Sequence, residues 1–233
     1  MYGDLNMKIK YSVDFNKFTI SKLRNLLRTT QLLPSQKILK EQLDESFDAI
    51  ENEGIKNLDE LQKVLKGKAD VTSFSEKTGI SEEFLTVLRR EINSYNPKRR
   101  KLNEFPFVDS NLVSKLQAMD IKDTQEFFDR AAVIRDRTAL AKSLDMDIEP
   151  ILELTKLSDV IRLRYVNQAF ATLLVKAGYD SVEKIARSSH DTMYADLKSL
   201  NAGNKYFKGA IGLNDMKLLI TDAKEIPRTK VEY

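Results

Sequence analysis

Along most of the chain, apolar residues recur every three or four positions, the spacing that collects them on one face of a helix. The stretch RLRYVNQAFATLLVKAGYDSVEKIA, residues 162–186, shows how these helices are punctuated. A short lead-in precedes an apolar-periodic helix, which stops at Gly178; one apolar anchor and a capping residue then open a second helix. Glycine suits the stop because it takes a left-handed backbone without steric cost.

The same pattern recurs. AIENEGIKNLDELQKVL aligns with KLQAMDIKDTQEFFDRA at a shift of 66, which pairs Gly54 with Asp120, Ile55 with Ile121, Glu60 with Glu126 and Leu61 with Phe127. Without a gap, that shift lays EKTGISEEFLTVL on KSLDMDIEPILEL and pairs Phe74 with Leu140, Leu85 with Ile151 and Leu88 with Leu154. A further shift of 58 adds LLVKAGYDSVEKIA, with Leu174 on Leu116, Tyr179 on Ile121 and Ile185 on Phe127. A recurring period of this kind indicates duplicated supersecondary units.

The caps are legible in the same segments. Asn57 with Glu60, Asp123 with Glu126 and Asp180 with Glu183 have the spacing of a capping box. Gly54, Gly79 and Gly178 stand where a helix must stop, and Asp120 and Asp145 hold equivalent places at a cost in backbone strain. Upstream, Thr19 or Ser21 caps a short helix carrying Leu23, Leu26 and Leu27, Pro34 begins the next, and residues 8–18 are read as slightly extended. The clearest break is NSYNPKRRKLNEFPF, residues 93–107; a second, LNAGNKYFKGAIGLND, residues 200–215, precedes a last helix from about Asp215 to Ile226. The expected fold is all-α, an array of helical hairpins. Its parts are an arm and short helix over 1–30, hairpin units over 31–99 and 100–157, and a helix-hairpin-helix unit with its tail over 158–233.

Composition narrows the function classes. With 233 residues the chain can bury most of its unfolded surface, and eight glycines, five prolines and no tryptophan agree with a helical fold. The absence of cysteine excludes disulfides, thiolate metal sites and cysteine nucleophiles, and fits a reducing interior. The opening MYGDLNMKIKYSVDF lacks the apolar core of a signal peptide, and no later run approaches the ~18 apolar residues of a membrane span. A soluble cytoplasmic protein with no membrane partner is expected. Against 35 acidic residues, 38 basic ones leave a net charge of only +3, so any anion-binding surface must be local.

Four stretches carry a family resemblance: LLPSQKIL, FDAIENEGIKNLDELQKVLK, KTGISEEFLTVLRREINSYNPK and LVKAGYDSVEKIA. Over roughly residues 25–226 the chain resembles a bacterial group known as domain of unknown function 4332, within the helix-hairpin-helix superfamily. The resemblance implies the fold and brings no activity with it. In nucleic-acid-binding members of the superfamily, a Gly-apolar-Gly turn lets backbone N–H groups at a helix N-terminus approach a phosphate. Here those glycine positions are read as Tyr165 and Asn167 around Val166, and as Phe107 and Asp109 around Val108. A side chain at the first position obstructs the approach, and an aspartate at the second repels phosphate.

Candidate contacts are therefore side chains. Arg162 and Arg164 flank the last turn, and Asn167 and Gln168 could donate from the helix start; the alternative packs Tyr165 on a neighbour and leaves both arginines solvated. The densest basic cluster is Lys98, Arg99, Arg100 and Lys101, with Arg89, Arg90 and a stackable Tyr95 on the preceding helix. A solvated linker run is the competing account. The loop with Gly203, Lys205, Lys208, Gly209 and Gly212 lacks GxxxxGK[ST] spacing and reads as a mobile connection. His190 is the only histidine and reads as a surface capping residue; paired carboxylates fall at helix starts, and the phenylalanines at core positions. No catalytic residue, metal site or cofactor is expected. The expectation is a non-enzymatic protein that binds DNA or RNA backbone largely without sequence specificity; the alternative is a protein-interaction adaptor. Oligomeric state is not indicated.

Overall fold

The computed structural model describes residues 9–32 and 34–233. Among the described residues the protein is all-α, with short 3-10 turns, isolated bridges at Thr19–Asn57 and Lys101–Asp123, and no strand. Contacts group the chain into two units, which change over at Asn96 and Pro97.

The N-terminal unit comprises residues 13–96 and 225–227. It contains α1 (Ile20–Thr29), α2 (Ile38–Glu41), α3 (Leu43–Asn52), α4 (Leu58–Val64), α5 (Lys68–Thr78) and α6 (Glu82–Ser94). Thr19 caps α1, its hydroxyl accepting from Lys22 N at 3.2 Å, and sets Leu23, Leu26 and Leu27 facing inward. Phe18, Phe47, Ile50, Leu61 and Phe84 are buried in its core, each worth about 1.5–3 kcal/mol against exposure. Residues 15–17 form a 3-10 turn where extended backbone was expected, because Phe15 is buried as part of a turn closed by its own carbonyl; residue 8 lies outside the described residues.

The C-terminal unit includes residues 9–12, 97–224 and 228–233. Its helices are α7 (Ser110–Ala118), α8 (Thr124–Ala131), α9 (Ile134–Leu144), α10 (Ile148–Val160), α11 (Gln168–Lys176), α12 (Val182–Ala186), α13 (His190–Leu200) and α14 (Leu213–Glu225). α10 packs against α8, α9 and α11, so residue 157 falls inside the central helix of this unit. Leu116, Phe127, Ile151, Leu154, Leu174 and Ile185 fill the core around it. α5 and α6 stand 66 residues before α9 and α10 at both of their ends.

Helix punctuation follows local chemistry. Gly54, Gly79, Asp120, Asp145 and Gly178 all take positive φ, between 48° and 88°. Asn57 accepts from Glu60 N at 3.0 Å, and Asp123 from Glu126 N at 2.9 Å, as N-caps should. Glu60 and Glu126 reach back one residue further than a capping box, to the N–H groups of Lys56 and Lys122. The third expected cap is different. Ser181, not Asp180, caps α12 by accepting from Lys184 N at 3.1 Å: the shift of 58 lays Ser181 on Asp123, and the Asp180 carboxylate pairs instead with Lys156 at 2.8 Å.

Two measurements check these points. Asp145 holds a left-handed backbone at φ 48° that glycine adopts freely, so Asp145→Gly should raise the unfolding free energy by about 0.5–1 kcal/mol in urea titrations; a loss would sink this account of the helix stop. Burial pushes the Asp180 carboxyl up, but the hydrogen bond and charge of Lys156, aided by Lys184, outweigh it and hold the pKa below the ordinary value. A depressed carboxyl pKa stabilises fully above the unfolded value, about 3.9, and that stabilisation is lost as pH falls through the folded value. The stability gap between the native chain and Lys156→Met should therefore be constant from about pH 7 to pH 5 and close below about pH 4. A gap that closes above pH 5 would contradict it.

Candidate nucleic-acid interface

The turn between α10 and α11 is held by buried charge. Arg162 is 1% exposed; its Nε donates to Asp159 Oδ1 at 3.1 Å, and its Nη2 to the same oxygen and to the Thr229 carbonyl at 3.1 Å. Its cation lies 4.6 Å from the centre of the Phe128 ring. Asp159 Oδ2 accepts from Val182 N, at the start of α12, at 2.9 Å and from the Tyr233 hydroxyl at 3.0 Å. Two residues on, Arg164 donates to Asp222 of α14 from its backbone N at 3.1 Å and from Nε at 2.8 Å. Arg228 reaches the same buried carboxylate at 2.8 Å. Burial pushes the Arg228 pKa down from its ordinary value, and the charge of Asp222 opposes that.

This corrects the expectation of outward-facing arginines. Arg162 is fully buried and the Arg164 side chain nearly so, because taking a guanidinium out of water is tolerable only beside a carboxylate, and Asp159 and Asp222 supply them. They act as internal struts. The residue they aim outward is Tyr165, 63% exposed at φ 65°. Asn167 and Gln168 are engaged as well: Asn167 caps α11 by accepting from Phe170 N at 2.9 Å, and Gln168 Nε2 donates to Glu104 Oε2 at 2.8 Å. The turn ahead of α7 follows the same plan, with Phe107 66% exposed at φ 66°, Val108 partly buried, and Asp109 accepting from Asn111 N at 2.8 Å.

The basic linker has a fixed backbone. Arg100 exchanges bonds with Thr124, its N–H donating to Oγ1 at 3.1 Å and its carbonyl accepting from Thr124 N at 2.9 Å, and Leu102 N donates to the Lys122 carbonyl at 3.1 Å. The Tyr11 hydroxyl lies 2.8 Å from Thr124 Oγ1 and donates to the Lys98 carbonyl at 3.2 Å. Burial pushes the pKa of this phenol up to about 12, which keeps it a donor. Lys98, Arg99 and Lys101 are exposed; Arg99 bonds Gln125 at 2.9 Å, and Arg100 is half-buried.

Arg89, Arg90 and Tyr95 belong to the N-terminal unit, whereas the linker belongs to the C-terminal one. Arg89 donates to the Lys66 carbonyl at 2.7 Å, and Arg90 is exposed. Tyr95 is no stacking surface, because its ring is buried 5.3 Å from Phe18 and its hydroxyl donates to Glu91 at 2.8 Å.

The loop after α13 is also built, not the mobile connection expected. Asn201 is buried; its Oδ1 accepts from Tyr206 N and Phe207 N, each at 3.0 Å, and its Nδ2 donates to the Phe207 carbonyl at 2.7 Å. Lys205 and Lys208 are thereby presented on an ordered loop and are exposed. The Tyr206 ring meets Phe107 at 5.7 Å, edge to face, so this loop and the linker both reach the turn ahead of α7.

A family model described as Domain of unknown function (DUF4332) matches residues 108–226, just over half of the chain. The chain belongs to that family. The DUF4332 span begins at Val108, inside the first turn, and takes in the second turn, Asp159, Asp222 and the Asn201 loop. It leaves out the basic linker, Arg89 and Arg90. No curated protein and no solved structure matches the chain.

A cavity of about 400 Å³ opens beside Ile134, Ile148, Leu152, Lys156, Asp180 and Tyr233. Its lysine and carboxylate are already paired, and the Arg137 guanidinium at its wall is committed to the carbonyls of Ala131 and Glu232 at 2.8 and 3.0 Å. Its lining offers walls more than chemistry. No helix of the described residues is long and apolar enough to cross a membrane.

The residues that sequence reasoning passed over are Asp159, Asp222, Arg228 and Asn201. Replacing Asp159 with alanine would leave Arg162 buried without a counter-charge, so Asp159→Ala should cost about 3–5 kcal/mol in urea denaturation. Lys101→Ala, on the exposed linker, should change stability by less than about 0.5 kcal/mol. A loss at Asp159 no larger than at Lys101 would remove the strut from the account.

Proposed function

We propose that the protein is a non-enzymatic array of helical hairpins, of the helix-hairpin-helix superfamily, that binds the backbone of DNA or RNA in the cytoplasm largely without sequence specificity. The observation that carries this reading is the exposure of Lys98 and Lys101 on a linker whose backbone is pinned by Thr124 and Tyr11. Lys205 and Lys208, on the loop that meets the turn ahead of α7 through Tyr206 and Phe107, are exposed as well and add to it. Cations held on fixed backbone lose less freedom on meeting a phosphate than cations on a floppy strand. The helix starts themselves are poor phosphate sites: Asp109 places a carboxylate at α7, and Phe107 and Tyr165 stand where close backbone approach would need glycine.

A protein-interaction adaptor is the second reading, favoured by the exposure of Phe107 and Tyr165, since large apolar groups in solvent often mark partner surfaces. Fluorescence anisotropy with labelled duplex and single-stranded oligonucleotides, across a salt series, separates the two. Engagement of two to four phosphates should make affinity fall with salt at a log–log slope of about −2 to −4 on duplex, and Lys98→Ala with Lys101→Ala should flatten that slope by about 1 to 2. No binding at low salt would end the first reading and leave the second.

A further inference from the structure

We infer that Phe107, Tyr206 and Lys205 form a stacking site for unpaired bases, which makes single-stranded nucleic acid the preferred ligand. This rests on the backbone-binding reading above and adds to it the class of strand.

Phe107 is a residue that the fold does not need. Phe107 has φ 66°, a conformation in which a bulky side chain is strained and glycine is not. Its ring is 66% exposed, so core burial does not compensate that strain. The equivalent position of the other turn repeats the combination, with Tyr165 at φ 65° and 63% exposed. A strained backbone carrying an aromatic ring into solvent is costly twice over, and occurring at both turns it points to use of the ring.

The surroundings specify the use. Tyr206 packs edge to face on Phe107 at 5.7 Å with the planes 67° apart, and Lys205 Nζ lies 5.0 Å from the centre of the Tyr206 ring. Lys208 follows on the same loop and is exposed. Glu104, which accepts from Gln168, and Asp109, which accepts from Asn111 N, keep their negative charge near Phe107, so the phosphates of a bound strand belong on the side of Lys205 and Lys208. Side-chain bonds and ring packing hold the platform. Asn201 fixes the backbone of Tyr206 and Phe207, and the Phe207 ring lies 5.1 Å from Phe170 and folds over Gly209, where a Cβ would collide with it. Aromatic faces beside lysines suit a nucleotide whose base is free to stack and whose phosphate is free to pair. Bases within a duplex are stacked already and show only their edges, with no free face for an aromatic ring.

The test uses the full chain and three probes in fluorescence anisotropy at low salt: a thymidine strand of about fifteen nucleotides, an abasic strand with the same number of phosphates, and a duplex of the same length. The thymidine strand should bind at least about tenfold more tightly than the abasic one. Phe107→Gly should lower affinity for the thymidine strand about five- to fiftyfold, leave abasic binding unchanged, and leave the melting temperature unlowered because glycine accepts the left-handed backbone. Tyr206→Ala should act in the same direction. Equal binding of thymidine and abasic strands, or an equal loss on both in Phe107→Gly, would overturn the stacking site while leaving backbone binding intact. Failure of every probe to bind at low salt would overturn both.

Discussion

Two buried carboxylates, Asp159 on α10 and Asp222 on α14, hold the C-terminal unit together at its most demanding point. Asp159 draws in Arg162, the first N–H of α12 and the hydroxyl of Tyr233; Asp222 draws in the backbone and side chain of Arg164 and the guanidinium of Arg228. Ion pairs of this kind are not net stabilisers against a well-packed apolar alternative, but removing one partner strands the other. Their effect is on geometry. A turn between two helices has few contacts of its own, and here its arginines are pulled inward while Tyr165, the next residue, stays 63% exposed with the Arg164 guanidinium 5.5 Å from the centre of its ring.

Much of the helix punctuation was legible in the sequence because it depends on neighbours within four residues. Asn57, Asp123 and Thr19 cap as their spacing requires, and five stop positions take the left-handed backbone that Gly54, Gly79, Asp120, Asp145 and Gly178 advertise. What was illegible depends on distant partners. Nothing near Arg164 in sequence discloses Asp222, 58 residues away, and nothing near Lys98 discloses Tyr11. A charged residue beside a turn reads as solvated until its counter-charge is located. The cap of α12 was a matter of register instead, since the shift of 58 lays Ser181, not Asp180, on Asp123. Asn201 was hidden differently: its three bonds reach only five or six residues, yet they close a loop whose composition suggested no order.

The family match and the basic linker divide the surface. The DUF4332 span contains the struts, the second turn and the Asn201 loop, while Lys98 to Lys101 lie just ahead of it. Both buried carboxylates and the arginines of the second turn therefore lie within the family's span, whereas Arg228, Thr229 and Tyr233, which complete the network, lie beyond it and the densest charge lies ahead of it.

The C-terminal unit is not contiguous in sequence. Lys10 and Thr229 exchange bonds at 3.0 and 2.7 Å, Arg162 donates to the Thr229 carbonyl, and Glu232 N donates to the Ala132 carbonyl at 3.0 Å. Residues 9–12 and 228–233 are thus joined to each other and to helices formed between them in sequence. Closing this unit therefore waits on contacts between residues 219 positions apart, and pairings so distant in sequence form slowly beside the local turns and caps that they complete.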